Sequence, residues 1–107
     1  MQNQELLKGS AQILILKMLE NEPMYGYQMI KNMEERSQHT FHWKEGSLYP
    51  ILYSMEKKEL ILAYWEEKPR KRKYYQITSK GKKELLKLED DWRIFSRSMN
   101  HLLGGAL

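Results

Sequence analysis

The stretch from Lys44 to Glu56 constrains the fold more than any other part of the chain. Leu48, Ile51, Leu52 and Met55 recur at helical spacing and form one apolar stripe. Ser47 is placed as the N-cap, its hydroxyl covering a free backbone N–H. Pro50 then falls within the first turn, where its missing N–H is not needed. The face away from the stripe carries Ser47, Tyr49, Tyr53 and Ser54, whose hydroxyls can donate to phosphate or to base edges. A helix of this shape fits a major groove. The alternative for these residues alone is an ordinary surface helix with a polar outside.

The rest of the chain narrows the choice. With 107 residues there is one domain's worth of core. No cysteine is present, which removes disulfides, thiolate nucleophiles and Cys-based zinc sites and fits a reducing cytoplasm. No basic segment precedes an apolar run at the N-terminus, so no signal peptide is expected. The longest apolar run, Ile13 to Leu16, is far too short to span a bilayer, so no membrane partner is expected. The net charge of +4 suits an anionic partner.

Residues 5–20 read as a helix with Leu7, Ala11, Leu14, Ile15 and Met18 on one face. Leu6, Ile13 and Leu16 add a second apolar side, which suggests a second chain as neighbour. Glu22-Pro23 ends it. A second helix runs from Tyr25 to Arg36, burying Gly26, Ile30 and Met33, with Gly26 admitting another helix at close range. Residues 37–43 read as a loop or short strand. With the helix described above, this makes the outline of a helix-turn-helix.

Residues 60–66 and 73–78 read as strands, Tyr75 and Ile77 sharing one face. The connection between them is a basic hairpin tip with Pro69 as turn former. Thr78 is placed as N-cap of a final helix over about 79–103, closed by Gly104-Gly105. Its apolar positions Leu85, Leu88, Trp92, Phe95, Met99 and Leu102 step alternately by three and four, the a/d pattern of a helix seam. The expected class is mainly α with a small β-hairpin wing: a winged helix-turn-helix over residues 1–78 and a dimerisation helix over 79–107, in one compact unit.

Three features carry chemistry. From Lys68 through Lys83 every charged residue is basic, a ridge able to neutralise phosphates or enter a minor groove; the alternative is a solvated charge run. The seam suits a two-fold dimer with recognition helices about 34 Å apart on a palindromic double-stranded operator; the alternative is packing within its own chain. Trp92 sits mid-seam, where an indole is unusual. In a dimer two such side chains can prop the helices apart, leaving a slot near Glu89, Asp90 and Asp91 for a planar, cationic ligand; the alternative is plain core packing. His39 and His42 have a metal-like spacing but no third ligand by sequence, and His101 sits at a helix C-terminus. There is no phosphate loop, nucleophile elbow or paired-carboxylate motif, so neither a cofactor nor an enzyme activity is expected.

Taken in order, several motifs resemble one family, the PadR-like winged-helix transcriptional regulators. They are Leu6-Leu7-Lys8-Gly9, Pro23-Met24-Tyr25-Gly26-Tyr27, Glu45 through Leu52, Leu60-Ile61, and Arg72 through Thr78 followed by Gly81. The resemblance covers nearly the whole chain. It implies a homodimeric repressor with its third helix in the major groove and a wing on the backbone or minor groove. By position, Ser47, Tyr49, Arg70, Lys71 and Arg72 would face DNA. The short final helix is similar to the compact, multidrug-responsive subfamily, in which a tryptophan pair across the dimer axis walls a drug site. Trp92 matches that position, and Gly9, Gln12 and Ile13 would line the same pore. The wing here is short and lacks glycine, and the pore-side residues differ from the drug regulators'. The alternative function is a winged-helix module that binds a protein and needs no basic ridge.

Overall fold

The computed structural model describes residues 9–104. Its elements are α1 (Ala11–Leu19), β1 (Met24–Tyr25), α2 (Gly26–Arg36), α3 (Glu45–Lys57), β2 (Ile61–Glu66), β3 (Arg72–Ile77) and α4 (Ser79–Leu102). The three strands form one antiparallel sheet in the order β1-β3-β2. This is a winged helix-turn-helix followed by a long C-terminal helix. Among the described residues no helix is long and apolar enough to cross a membrane.

One core joins these elements. α1 contributes Ile15, Leu16 and Leu19, α2 contributes Met29 and Met33, and α3 contributes Leu48, Leu52 and Met55. Ile61, Tyr75 and Ile77 close it from the sheet, and Leu85 from α4. Leu16, assigned above to an outer side of α1, is fully buried in this core. Ile13 and Leu14 are half-buried against it, while Leu6 and Leu7 lie outside the described residues. On α2 the fully buried side chain is Met29, and Ile30 is only partly covered. Trp43, read as part of a loop, is buried and anchors the chain just before α3.

That anchor moves the start of α3. Its N-cap is Lys44, not Ser47, and the Ser47 and Leu48 N–H groups both donate to the Lys44 carbonyl, at 3.0 and 2.9 Å. Pro50 therefore lies beyond the first turn. It leaves the Gly46 carbonyl without its usual intrahelical donor, on an exposed stretch of the helix where solvent can reach. The other end closes with Glu59 in the left-handed region at φ +62°. Glu59 N–H donates to the Glu56 carbonyl and Leu60 N–H to the Met55 carbonyl, the double bond of a Schellman motif. Leu60 thus belongs to the cap, and β2 begins one residue later than the sequence suggests.

β1 is a strand the sequence reading did not anticipate. Met24 and Tyr25 pair with Tyr75 and Tyr74, and Gly26 starts α2 directly after them. Gln28 Oε1 accepts from the Tyr25 N–H at 3.2 Å, fixing the entry of α2. Thr78 caps α4 as expected: its Oγ1 accepts from Gly81 N–H at 2.9 Å and donates to the Glu59 carbonyl at 2.7 Å. One hydroxyl so ties the start of α4 to the end of α3.

Gly81 completes that junction. A Cβ there would stand 2.1 Å from the Leu60 carbonyl oxygen, a backbone atom that cannot rotate away. Gly81→Ala is expected to cost about 1–3 kcal/mol of stability. The readout is a lower urea midpoint with an unchanged m-value.

Candidate nucleic-acid interface

α3, the start of α2 and the wing enclose an open cleft of about 550 Å³. Six aromatic rings face it: Tyr25, Tyr27, Tyr49, Tyr53, Trp65 and Tyr75. Its cations are Lys71, Arg72 and Lys73, all from the wing. Glu56 is the carboxylate in its lining, and it pairs with Lys73 at 3.8 Å. The cations do not hang free. Arg72 lies 4.4 Å from the Tyr25 ring centroid, Lys71 5.1 Å from Trp65 and Lys73 5.6 Å from Tyr75. Each ring face attracts the charge and limits where the side chain can point.

Tyr49 is placed by Gly26. A Cβ on Gly26 would lie 2.4 Å from the Tyr49 hydroxyl oxygen, so the phenol tip occupies the space that a side chain would fill. The close approach expected at Gly26 is therefore made by a tyrosine of α3. Burial, then the Glu45 charge, push the Tyr49 hydroxyl above its usual range. The hydroxyl read as a donor to DNA is turned toward α2, while the residue as a whole remains 41% exposed and lines the cleft. Ser47 is exposed on the first turn of α3 and Arg70 at the wing tip. Of the five residues expected to face DNA, the cleft brings together Tyr49, Lys71 and Arg72.

The basic run is split in space. Lys80 lines a separate recess with Glu59 and Leu62, on the far side of the junction, and Lys82 and Lys83 are exposed on the first turns of α4. Sequence reasoning missed Tyr25, Tyr27 and Trp65 as cleft residues. A signal was present for Tyr27 alone: Tyr27 and Lys31, like Tyr53 and Lys57, stand four apart, the spacing that stacks neighbours on a helix face. His42 Nδ1 lies 3.0 Å from Glu34 Oε2, and this bond holds the Glu34 carboxyl below its usual range.

The residues expected at the dimer seam divide into two groups. Leu85 is buried in the chain's own core, and Leu88 packs against that core. Leu85 is therefore not available to a second chain. Trp92, Phe95, Met99 and Leu102 are exposed, with the Trp92 and Phe95 rings 5.8 Å apart. The proximal half of α4 is held to α1 by Lys17, which pairs with Glu89 at 3.2 Å and with Glu20 at 2.9 Å. Gly9 is exposed, while Gln12 and Ile13 are half-buried. Asp90 bonds Arg93 one turn on.

A helix-turn-helix, a hairpin wing and a cationic, aromatic-walled cleft between them define a DNA-binding regulator of the winged-helix class. A model of the Transcriptional regulator PadR-like family matches residues 15–87, and the chain belongs to that family. The chain is similar to a solved transcriptional regulator from Clostridium thermocellum, with 28% identity and a TM-score of 0.85 over 91% of this chain and 96% of that one. It is also similar to a PadR-like transcriptional regulator from Bacillus cereus, with 34% identity and a TM-score of 0.82 over 94% and 98% of the two chains. A protein from Lysinibacillus sphaericus, described only as uncharacterized, is 36% identical over 90 residues, 82% of this chain and 83% of that one.

Tyr75 gives the cleft floor a pH signature. Burial, reinforced by the charges of Glu56 and Tyr49, pushes its phenol up to about 12. The unfolded phenol ionises near pH 10. The folded state disfavours the phenolate, so this contribution is intact below pH 10 and is lost as pH rises toward 12. Stability of the wild type should fall over that window more steeply than that of Tyr75→Phe, measured by urea unfolding at stepped pH.

Proposed function

We propose that the chain acts as a homodimeric repressor on a palindromic operator, joined through the distal half of α4. The single observation that carries this reading is the apolar end of that helix. Trp92, Phe95, Met99 and Leu102 follow one seam and are 53%, 54%, 37% and 82% exposed. A bare apolar stripe on the part of α4 that runs beyond the chain's own core calls for a second surface. A two-fold partner supplies it and sets two α3 helices about one DNA turn apart, roughly 34 Å. Ser47, the Tyr49 ring and the wing residues Arg70, Lys71 and Arg72 then meet DNA, the helix in the major groove and the wing on the backbone.

Ligand control follows from the same seam. Trp92 and its copy, with Gly9 just before α1 and Gln12 and Ile13 on it, form a slot for a planar hydrophobic ligand. Such a ligand relieves repression only by preferring a helix spacing that the operator does not.

Light scattering in dilute buffer should give twice the chain mass of 12.9 kDa. The double variant Phe95→Asp, Met99→Asp should give a monomer that no longer shifts the DNA upstream of its own gene at wild-type concentrations. A wild-type mass of 12.9 kDa contradicts the reading. Ligand control is tested separately with a planar cationic acridine dye. Tryptophan emission should be quenched in the wild type and much less in Trp92→Phe, whereas equal quenching in both places the dye elsewhere.

A further inference from the structure

We propose that Lys31 of α2 and Lys57 of α3 are phosphate contacts, each set in place by the tyrosine beneath it, and that they carry one DNA strand's backbone past the cleft. The proposal rests on the reading that the cleft faces DNA. It extends the contact surface to α2 and to two lysines outside the basic wing.

Three observations carry it. Lys57 Nζ lies 4.9 Å from the Tyr53 ring centroid and Lys31 Nζ 5.8 Å from that of Tyr27. Both tyrosines line the cleft, and both are more than half exposed, so neither ring is held there by the core. Among the described residues, neither ammonium pairs with a carboxylate, whereas Lys17 and Lys73 do. The two lysines are therefore oriented by a ring and form no direct ion pair, although Lys31 stands close enough to Glu34 to help hold that carboxyl below its usual range.

The wing repeats the unit, with Lys71 set over Trp65. Three separate elements thus surround one cleft with the same pair, a flat ring carrying a cation on its face. The chemistry that this pattern fits is a sugar–phosphate strand. Phosphate oxygens accept from the ammonium and from the tyrosine hydroxyl, and the deoxyribose packs on the ring's remaining apolar surface. A lysine already laid on a ring gives up less side-chain freedom when the phosphate arrives. These contacts read no bases, so they set register and contribute equally on every sequence.

The test is a salt series of binding to a labelled mixed-sequence duplex, read by fluorescence anisotropy. Lys31→Gln and Lys57→Gln should each reduce the slope of log K against log salt by about 0.9. Lys87→Gln, which removes the same charge from an exposed site on α4, should leave the slope unchanged. Lys31→Arg and Lys57→Arg should restore it. A wild-type slope in both glutamine variants overturns the proposal, as does an equal loss in Lys87→Gln, which would mark a net-charge effect. A wild type without salt-dependent duplex binding overturns the underlying reading as well.

Discussion

Strand β3 is hydrogen-bonded on both sides, and the arrangement of the cleft between α3 and the wing follows from that. On one side it pairs with β2 along the whole wing, from Ile61 opposite Ile77 to Glu66 opposite Arg72. On the other it pairs with the two residues that lead straight into α2. A wing held only by its own hairpin would be marginal, because an isolated two-stranded ribbon has little to bury. Here the third strand ties it to the helix-turn-helix. Tyr74 spans the three strands, edge-on to Tyr25 at 5.4 Å and stacked on Tyr64 at 5.9 Å. The walls of the cleft are therefore tied to one another through β3.

Two glycines set the remaining spacings by what they leave out. At Gly26 the missing side chain lets Tyr49 lie against α2, which fixes the distance between the two helices of the helix-turn-helix. At Gly81 the missing side chain lets α4 begin directly on the Leu60 carbonyl, within reach of the Thr78 cap. A methionine-rich interior fits this construction. Met18, Met29, Met33 and Met55 are unbranched and buried, side chains suited to filling irregular gaps between packed elements. The cleft lies on one side of this frame, and the apolar end of α4 leaves the frame altogether. The cleft is thus braced by the core on several sides, while the distal half of α4 stands outside it.

What could be read from sequence depended on whether a signal was local. The helices, the Thr78 cap and the hairpin strands are local patterns, with spacing of apolar residues or a single hydroxyl before a periodic run. They were legible from residues within one turn or one strand of each other. The N-cap of α3 was not, because Trp43 decides it, and an indole in a polar loop does not announce that it will be buried. β1 was not legible because two residues carry no period; it exists only because β3 offers a free edge. The seam on α4 is continuous in sequence and divided in space, since Leu85 is buried in the chain's own core while Trp92 is exposed. The basic run divides for a similar reason, as Thr78 turns the chain away from the wing between Lys73 and Lys80. The Tyr–Lys pairs at four-residue spacing were there to be found, but only the fold makes Tyr27 and Tyr53 neighbours.

The three tryptophans of the chain report on three different places: Trp43 in the core, Trp65 at the cleft and Trp92 on the outer part of α4. Their indole N–H resonances in a ¹⁵N-labelled sample, followed while duplex DNA is added, test most directly that the cleft between helix and wing is the surface that meets DNA. The account expects the Trp65 signal to shift progressively while the Trp43 signal stays in place. A Trp65 signal that does not move as DNA saturates the protein would contradict it.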